Sequence, residues 1–510
     1  MNIKNLDFFQ GRKGDAAVLL GGSLLPLAFA PFGLWPIAFI SIALLFLAWL
    51  DSTPKQAFWR GWLFGIGMFG FGVSWVHISM HYFGGVSIPL SMFLTGLFVL
   101  FFALYPAIVG YLARKMFPLL GNNHAIQLVI SFPVLWVFFE WVRSWVMTGF
   151  PWLNLGYGQI DSPLSGYAPL WGIYGISLAV TVSAGLVITS WVDRAAWKKY
   201  IPLLVFIWLF PIGLKNIDWS EPTGEPITVS MIQGNIPQDQ KWLPEQRKMQ
   251  LELYYQLSQK NWGTSDLIIW PETAIPALHH QAESFLKGLA QEARMNSSEL
   301  LLGIPVYDKQ EDVYYNSMLT LGNDESFYQK KHLVPFGEYL PLPSIFQHFV
   351  DYFSIPMSNF SSGTSEKPIL HVAGHKAGIS ICYEDVFGEE VIMALPEASF
   401  LINASNDAWF GDSIAPHQHL EIARMRSLET GRYLLRSTNT GISAVIDPKG
   451  KIVAQSPQFE THVLTHTIQP MRGASVYVVF GNIPIIFILF AMIFAGFVIE
   501  YNLKIKKNDS

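Results

Sequence analysis

Three short segments each close an apolar run with a side chain able to do covalent or proton chemistry. Leu267-Ile268-Ile269-Trp270-Pro271-Glu272 ends in a carboxylate. Tyr328-Gln329-Lys330-Lys331-His332-Leu333-Val334-Pro335-Phe336-Gly337-Glu338 supplies lysine and a second carboxylate. Gly378-Ile379-Ser380-Ile381-Cys382-Tyr383-Glu384-Asp385 supplies the only cysteine of the chain, so no internal disulfide can form. A protonated thiol is a weak nucleophile. A carboxylate within hydrogen-bond reach could take its proton as general base. A lysine ammonium beside it could lower the thiol pKa and stabilise the oxyanion formed on attack. Glu, Lys and Cys together would suffice for acyl transfer through a thioester. Each segment also has an ordinary reading. A lone cysteine after a strand is usually a small buried hydrophobe, Trp-Pro-Glu can be a strand end with a capping carboxylate, and paired lysines are commonly a solvated face. Their occurrence in one chain, each at a strand end where α/β folds gather sites, favours the chemistry.

The elements that must position these groups fall into two kinds of sequence. Of 510 residues 51% are hydrophobic and 14% charged, well short of the roughly 25% charge of soluble domains. Residues 16–50 carry no charge, and 61–113 have only His77 and His81 as titratable groups. A membrane-spanning helix needs about 20 apolar residues, so each run holds two, broken at Pro31-Phe32-Gly33-Leu34-Trp35-Pro36 and at Gly84-Gly85. Further helices are predicted near 125–146, 169–191, 198–214 and 480–499, giving eight. Lys and Arg gather in alternate short loops: Lys4, Arg12 and Lys13, then Lys55 and Arg60, Arg114 and Lys115, Arg194, Lys198 and Lys199, and Lys504, Lys506 and Lys507. The opposite short loops have only Arg143, at a helix edge. Both termini are therefore expected on the cytoplasmic side, with the long segment between helices seven and eight facing outward. Residues 1–15 are polar, and the apolar run after them is too long for a signal-peptide core, so no cleavable signal is expected.

That outward segment, about 220–470, has short apolar runs at Ile227–Ile232, Leu267–Trp270, Leu300–Pro305, Gly378–Cys382, Phe400–Ala404 and Ile442–Ile446, which read as buried strands. Helical stretches lie between them at 244–260, 282–295 and 416–434. Alternating strands and helices predict a layered α/β domain. The expected organisation is a membrane domain over 1–219 with seven transmembrane helices, a catalytic domain over 220–470, and a last helix with a cytoplasmic tail over 471–510. A net charge of −5 and the absence of a basic stripe interleaved with aromatics give no sign of a nucleic-acid partner.

The order Glu272, Lys330, Cys382 resembles the nitrilase superfamily, whose fold is an α-β-β-α sandwich with a Glu-Lys-Cys triad. With the eight predicted helices, the whole chain resembles the bacterial apolipoprotein N-acyltransferases. The matching stretches include Leu27-Ala28-Phe29-Ala30-Pro31-Phe32-Gly33, Glu140-Trp141-Val142-Arg143, Thr148-Gly149-Phe150-Pro151-Trp152, Gln233-Gly234-Asn235-Ile236-Pro237-Gln238 and Asn403-Ala404-Ser405-Asn406-Asp407-Ala408-Trp409-Phe410-Gly411. The resemblance implies Cys382 as nucleophile, Glu272 as general base and Lys330, rather than Lys331, as support for the tetrahedral intermediate. It implies that Glu338 holds the lysine or assists the base, that Trp242, Tyr383 and Glu384 are needed for activity, and that Asn316 is a further candidate. It also implies a multi-pass protein of the bacterial inner membrane, with no cofactor. The acyl donor would be a phospholipid, typically phosphatidylethanolamine, and the acceptor a diacylated apolipoprotein. A membrane-tethered amidase or nitrilase, or a transporter or sensor with a dead ligand-binding domain, are the competing readings. The eight-helix platform argues against the first, since a tether needs one helix. The intact triad argues against the second.

Other polar groups read more plainly. The pairs His77 and His81, and His417 and His419, lack a third metal ligand and are expected as satisfied core or interfacial histidines. Glu140 and Arg143 are expected to pair, and Trp152 to anchor at an interface. The loop 340–363 is unusually apolar for a surface loop, with Phe346, Phe349, Tyr352, Phe353 and Met357. It is expected as a lid or lipid-contact arm, the alternative being a loop packed on its own domain. Replacing Phe346 and Phe349 with serine should slow turnover of lipid donors more than that of a short-chain soluble thioester. Equal slowing of both would remove the lid reading.

Overall fold

The computed structural model describes residues 11–120, 123–193, 197–342, 344 and 359–508. The lid expected over 340–363 lies largely outside the described residues, including all five of its named apolar side chains. The chain forms two compact units, one of residues 1–77, 92–217 and 480–510, the other of residues 78–91 and 218–479.

The first unit is helical because its sequence is apolar with few breaks. Helical or broken-helical segments stand at all eight places predicted. Among the described residues four are long and apolar enough to cross a membrane: Ile88–Met116, His124–Arg143, Pro163–Val192 and Trp197–Leu214. The bent pair Pro54–Gly72 and Val76–Phe83, inclined by 57°, would make a fifth. Pro36–Trp49 and Ile483–Ile499 are apolar but shorter. Of the eight spans expected, four or five thus meet this length among the described residues, and Pro26 and Pro36 open separate short helices in the first run. Where helices meet, glycine removes the side chain that would hold the backbones apart. A Cβ at Gly22 would sit 2.0 Å from the Phe64 carbonyl oxygen, and one at Gly61 2.3 Å from that of Pro106.

Glu140 and Arg143 do not bridge each other. Glu140 accepts from the Trp136 indole at 3.0 Å and from the Leu155 N–H at 2.9 Å. Arg143 donates to the carbonyls of Phe150 at 2.7 Å and Trp152 at 2.6 Å, and to Asn154. Both turn to the 150–155 loop because its backbone groups, buried away from regular structure, need partners. Trp152, expected at an interface, is buried against Trp75. His77 and His81 instead meet backbone carbonyls, of Ser74 and Val86.

The second unit carries β1 (Glu221–Pro222), β2 (Ile227–Gln233), β3 (Leu267–Ile269), β4 (Glu299–Asp308), β5 (Val313–Leu321), β6 (Ser326–Gln329), β7 (Ile369–Val372), β8 (His375–Ile381), β9 (Phe400–Ser405), β10 (Leu434–Thr438), β11 (Ala444–Ile446), β12 (Ile452–Gln455), β13 (His462–Ile468) and β14 (Met471–Arg472). Two six-stranded sheets have the orders β13-β2-β3-β4-β5-β6 and β12-β11-β10-β9-β8-β7, and β1 pairs with β14. Strands β2, β3 and β4 run parallel, as do β8, β9 and β10. Successive strand side chains face opposite ways, and the sequence exploits it. Leu267 and Ile269 join Ile379, Ile381, Ile402 and Val445 in the core between the sheets. Ile268 and Trp270 face the other way, onto Tyr254, Leu286 and Leu289 of helices Pro244–Gln259 and Glu283–Met295. Leu420 and Ala423 of helix Ala415–Thr430 cover the outer face of the second sheet. The result is the expected α-β-β-α sandwich.

All six predicted strands form. The helix expected over 416–434 stops at Thr430, because Gly431 takes φ +64° and caps it, freeing Leu434 to begin β10. Gly22→Leu should lower the thermal unfolding midpoint of the detergent-solubilised protein, at a cost of about 1–3 kcal/mol for overpacking. An unchanged midpoint would mean that the helices tolerate separation there.

Candidate active site

The three reactive segments converge within the second unit. Glu272 follows β3, Lys330 directly follows β6, and Cys382 directly follows β8. β3 and β8 are interior parallel strands of different sheets, and both sites of departure are conformationally special. Thr273 has φ +46° and Cys382 φ +51°, a left-handed backbone that non-glycine residues adopt at a cost of about 1–2 kcal/mol. The expected strand Gly378–Cys382 thus ends one residue earlier, and Cys382 opens a 3-10 turn over Cys382–Val386. Gly303 on β4 lets the Glu272 segment come close: a Cβ there would lie 2.4 Å from both the Pro271 oxygen and the Thr273 nitrogen.

Lys330 is the hub. Its Nζ lies 2.9 Å from Glu338 Oε2, 3.0 Å from Glu338 Oε1 and 3.6 Å from Glu272 Oε1. Burial favours loss of its proton, but Glu338, Glu272 and the Cys382 sulfur outweigh that and raise its pKa, so it stays an ammonium. Asn316 on β5 donates through Nδ2 to Glu272 Oε1 at 2.8 Å and to Glu338 Oε1 at 3.1 Å. Glu338 also accepts from the Val334 N–H at 2.8 Å. The second carboxylate therefore holds the lysine.

The thiol departs from expectation. Burial first, then the negative Glu272, push the Cys382 thiol up, and Lys330 only partly offsets them. The lysine depresses the thiol pKa as expected, but less than burial and Glu272 raise it. Cys382 rests protonated, and its activation depends on a base at the moment of attack.

Glu384 is buried and is a staple. Its Oε1 accepts from the Tyr328 hydroxyl at 2.9 Å and from the N–H groups of Lys331 at 2.7 Å and His332 at 3.2 Å. Its Oε2 accepts from the Ile381 N–H at 2.7 Å. It ties the loop after Lys330 to the residue before Cys382. Burial raises its pKa to about 7, against Lys330 and those N–H groups. Tyr383 stands beside Cys382 with its ring edge-on to Phe387, centroids 5.1 Å apart. Trp242 is 48% exposed and makes no contact with the triad among the described residues.

Two further sets of contacts were not drawn from the sequence, although His419, expected as a satisfied core or interfacial histidine, is one and belongs to the first. Beneath Cys382, Asn403 Nδ2 donates to the Cys382 carbonyl at 3.1 Å, and Arg436 donates to Asn403 Oδ1 at 2.7 Å and to Asp407 at 2.9 Å. His419 is held by Asp385 at 2.8 Å and Asp407 at 3.1 Å. Burial and Arg436 oppose its charge, yet the two carboxylates raise its pKa. Arg436 inside the apolar run Leu434-Leu435-Arg436 was the available signal, since a buried arginine needs carboxylates. The second is Lys241, 3% exposed, whose Nζ donates to the Glu272 carbonyl at 3.1 Å. Nothing in a polar loop sequence marks it as buried. Among the described residues no group of three or more His, Cys, Asp and Glu is arranged to hold a metal ion.

A cysteine on a strained turn, a buried lysine between two carboxylates, and a four-layer sandwich define a carbon-nitrogen hydrolase type of enzyme unit, and the family model for Carbon-nitrogen hydrolase matches residues 228–477. The model for the apolipoprotein N-acyltransferase N-terminal domain matches residues 21–186. An apolipoprotein N-acyltransferase of Methylococcus capsulatus is 45% identical over 93% of this chain and 94% of its own length. Those of Coxiella burnetii and Vibrio parahaemolyticus are each 42% identical, over 94% and 95% of this chain and 99% and 97% of theirs. Among solved structures, Saccharomyces cerevisiae Nit3, of branch 10 of the nitrilase superfamily, aligns at 19% identity and a TM-score of 0.38 over 49% of this chain and 93% of its own. The chain belongs to the apolipoprotein N-acyltransferase family, and it is a membrane-embedded enzyme.

Gly303→Ala should slow reaction at Cys382 at least about tenfold, ~1.4 kcal/mol, by displacing Glu272. Gly288→Ala, in open space on helix Glu283–Met295, should leave it unchanged. Equal rates in both, read as acyl-adduct formation, would detach the base from this backbone contact.

Proposed function

We propose that this enzyme moves an acyl chain from a phospholipid to the N-terminal α-amine of a diacylglyceryl-cysteine apolipoprotein, through a thioester on Cys382. The observation that carries it is the convergence of Glu272, Lys330 and Cys382 in a chain that also has apolar helices of membrane-crossing length. Glu272 takes the thiol proton as sulfur attacks the ester carbonyl. The oxyanion forms within reach of the Lys330 ammonium. Collapse breaks the ester C–O bond, and the lysophospholipid oxygen leaves with the proton from Glu272. The α-amine then attacks the thioester, Glu272 takes its proton, and the amide forms as the proton returns to the Cys382 sulfur.

The membrane unit supports this reading on energetic grounds. Each methylene is worth about 0.8 kcal/mol in a bilayer, so a 16-carbon chain resists extraction by roughly 12 kcal/mol. An enzyme that stays with the bilayer need not supply that. Within this reading, residues 1–219 and the last helix form an eight-helix platform in the bacterial inner membrane. Both termini are cytoplasmic, and the catalytic domain is on the outer side. Phosphatidylethanolamine is the donor in this reading. Trp242 and Tyr383 contact substrate, and Glu384 and Asn316 hold the triad.

Incubation of purified enzyme with acyl-labelled phosphatidylethanolamine should place one acyl group on Cys382, seen by mass spectrometry. A diacylated lipopeptide should discharge it as an amide. Cys382→Ser should form no thioester. An adduct that water discharges and the lipopeptide does not would make the enzyme an amidase-like hydrolase instead. Faster acylation from phosphatidylglycerol would displace phosphatidylethanolamine as donor.

A further inference from the structure

Lys330 is the cation that the triad requires, but it is not the only lysine buried at the site. Lys241 lies in the turn after β2, in Gln238-Asp239-Gln240-Lys241-Trp242. The turn is pinned from two sides: Gln250 Nε2 donates to the Gln240 carbonyl at 3.0 Å, and Asn406 Nδ2 donates to Gln238 Oε1 at 2.7 Å. Its ammonium is thereby fixed on the Glu272 carbonyl oxygen, 3.1 Å away. Lysine rotamer entropy costs about 2 kcal/mol to freeze, and an ammonium without a partner is strongly disfavoured in a protein interior. A loop that merely needed a donor for one carbonyl could use a neutral side chain.

Charge balance gives the lysine a purpose. Glu272 and Glu338 place two negative charges around one ammonium, that of Lys330, whose side chain is 1% exposed. Lys241 adds the second positive charge, making the four-residue set neutral while both carboxylates are ionised. Transfer of the Cys382 proton to Glu272 brings the set to one net positive charge, which the oxyanion formed on attack neutralises.

We propose that Lys241 is a positioning residue of the acyl-transfer site: its ammonium anchors the main chain of Glu272 and balances the site's second carboxylate, keeping the base aimed. This rests on the acyl-transfer reading above. The charged groups facing it are Glu272 beyond β3 and Cys382 beyond β8, with Lys330 and Glu338 behind Glu272. Burial pushes the Lys241 ammonium down to about 8, with Glu272 and Cys382 opposing. Since its useful form is charged, its contribution is present below that pH and is lost as pH rises through it.

The test is the initial rate of Cys382 acylation by labelled phosphatidylethanolamine, measured by mass spectrometry across neutral to alkaline pH in the full-length enzyme. The wild type should lose rate above about pH 8. Lys241→Arg, charged throughout this range, should keep the neutral-pH rate within about threefold and shift the alkaline fall upward by about a pH unit or more. Lys241→Met should be slower by about tenfold or more at neutral pH, with no fall centred there. Lys241→Gln keeps a donor for the carbonyl without charge, so it should match the methionine variant. It also serves if Lys241→Met does not fold. A glutamine variant with the wild-type rate, or an arginine variant whose alkaline fall coincides with that of the wild type, would overturn the inference and leave a structural hydrogen bond. A wild type that forms no adduct at any pH would overturn the acyl-transfer reading, and this inference with it.

Discussion

Burial of the Lys330 ammonium is the constraint on which the site depends. Withdrawing an ammonium from water costs several kcal/mol even after relaxation. The cost is offset only if carboxylates approach with good geometry and stay there. Glu338 supplies the close contact and Glu272 the longer one. Because these groups come from separate segments, the lysine obliges the loops beyond β3 and β6 and the return through Glu338 to meet at one point. Asn316 completes the arrangement by donating to both carboxylates. A site built this way resists distortion, since moving any one member leaves a buried charge uncompensated.

The same economy of charge explains the resting state of Cys382, the proposed nucleophile. With its ammonium committed to two carboxylates, the site has little positive potential left for a thiolate, and the buried Cys382 stays protonated. A protonated thiol is a weak nucleophile toward adventitious electrophiles. Reactivity then comes from placement. The left-handed turn at Cys382 projects the residue from the strand end. Asn403 holds its carbonyl from below, and Glu384 ties the preceding N–H to the Lys330 loop.

The membrane unit follows a different physical rule. Lipid tails are as apolar as the helices, so hydrophobic burial cannot bring helices together. Close backbone approach at Gly22 and Gly61 and the carbonyl clamp of Arg143 on the 150–155 loop hold it instead. One unit is thus a charge-organised site in a β-sandwich core, and the other a dispersion-packed platform with few charges.

Much of this was legible from residue order. Short apolar runs ending in Trp270, Cys382 and Ala404 marked interior strands, because a strand buried on both faces cannot carry polar side chains. The proline and glycine breaks marked helix ends, because backbone geometry is local. The edge strands β6, β7, β12 and β13 were not legible, since one solvated face dilutes their apolar pattern. Nor were Lys241 and Arg436, whose meaning lies wholly in partners distant along the chain. Residue type and strand-end position determined by themselves which side chains are chemically able: a thiol, a carboxylate and a lysine. Only the tertiary structure decided their charge states, because the field at each group is the sum over charges that folding brings from other segments. That sum left the lysine's lowering of the thiol pKa outweighed by burial and Glu272.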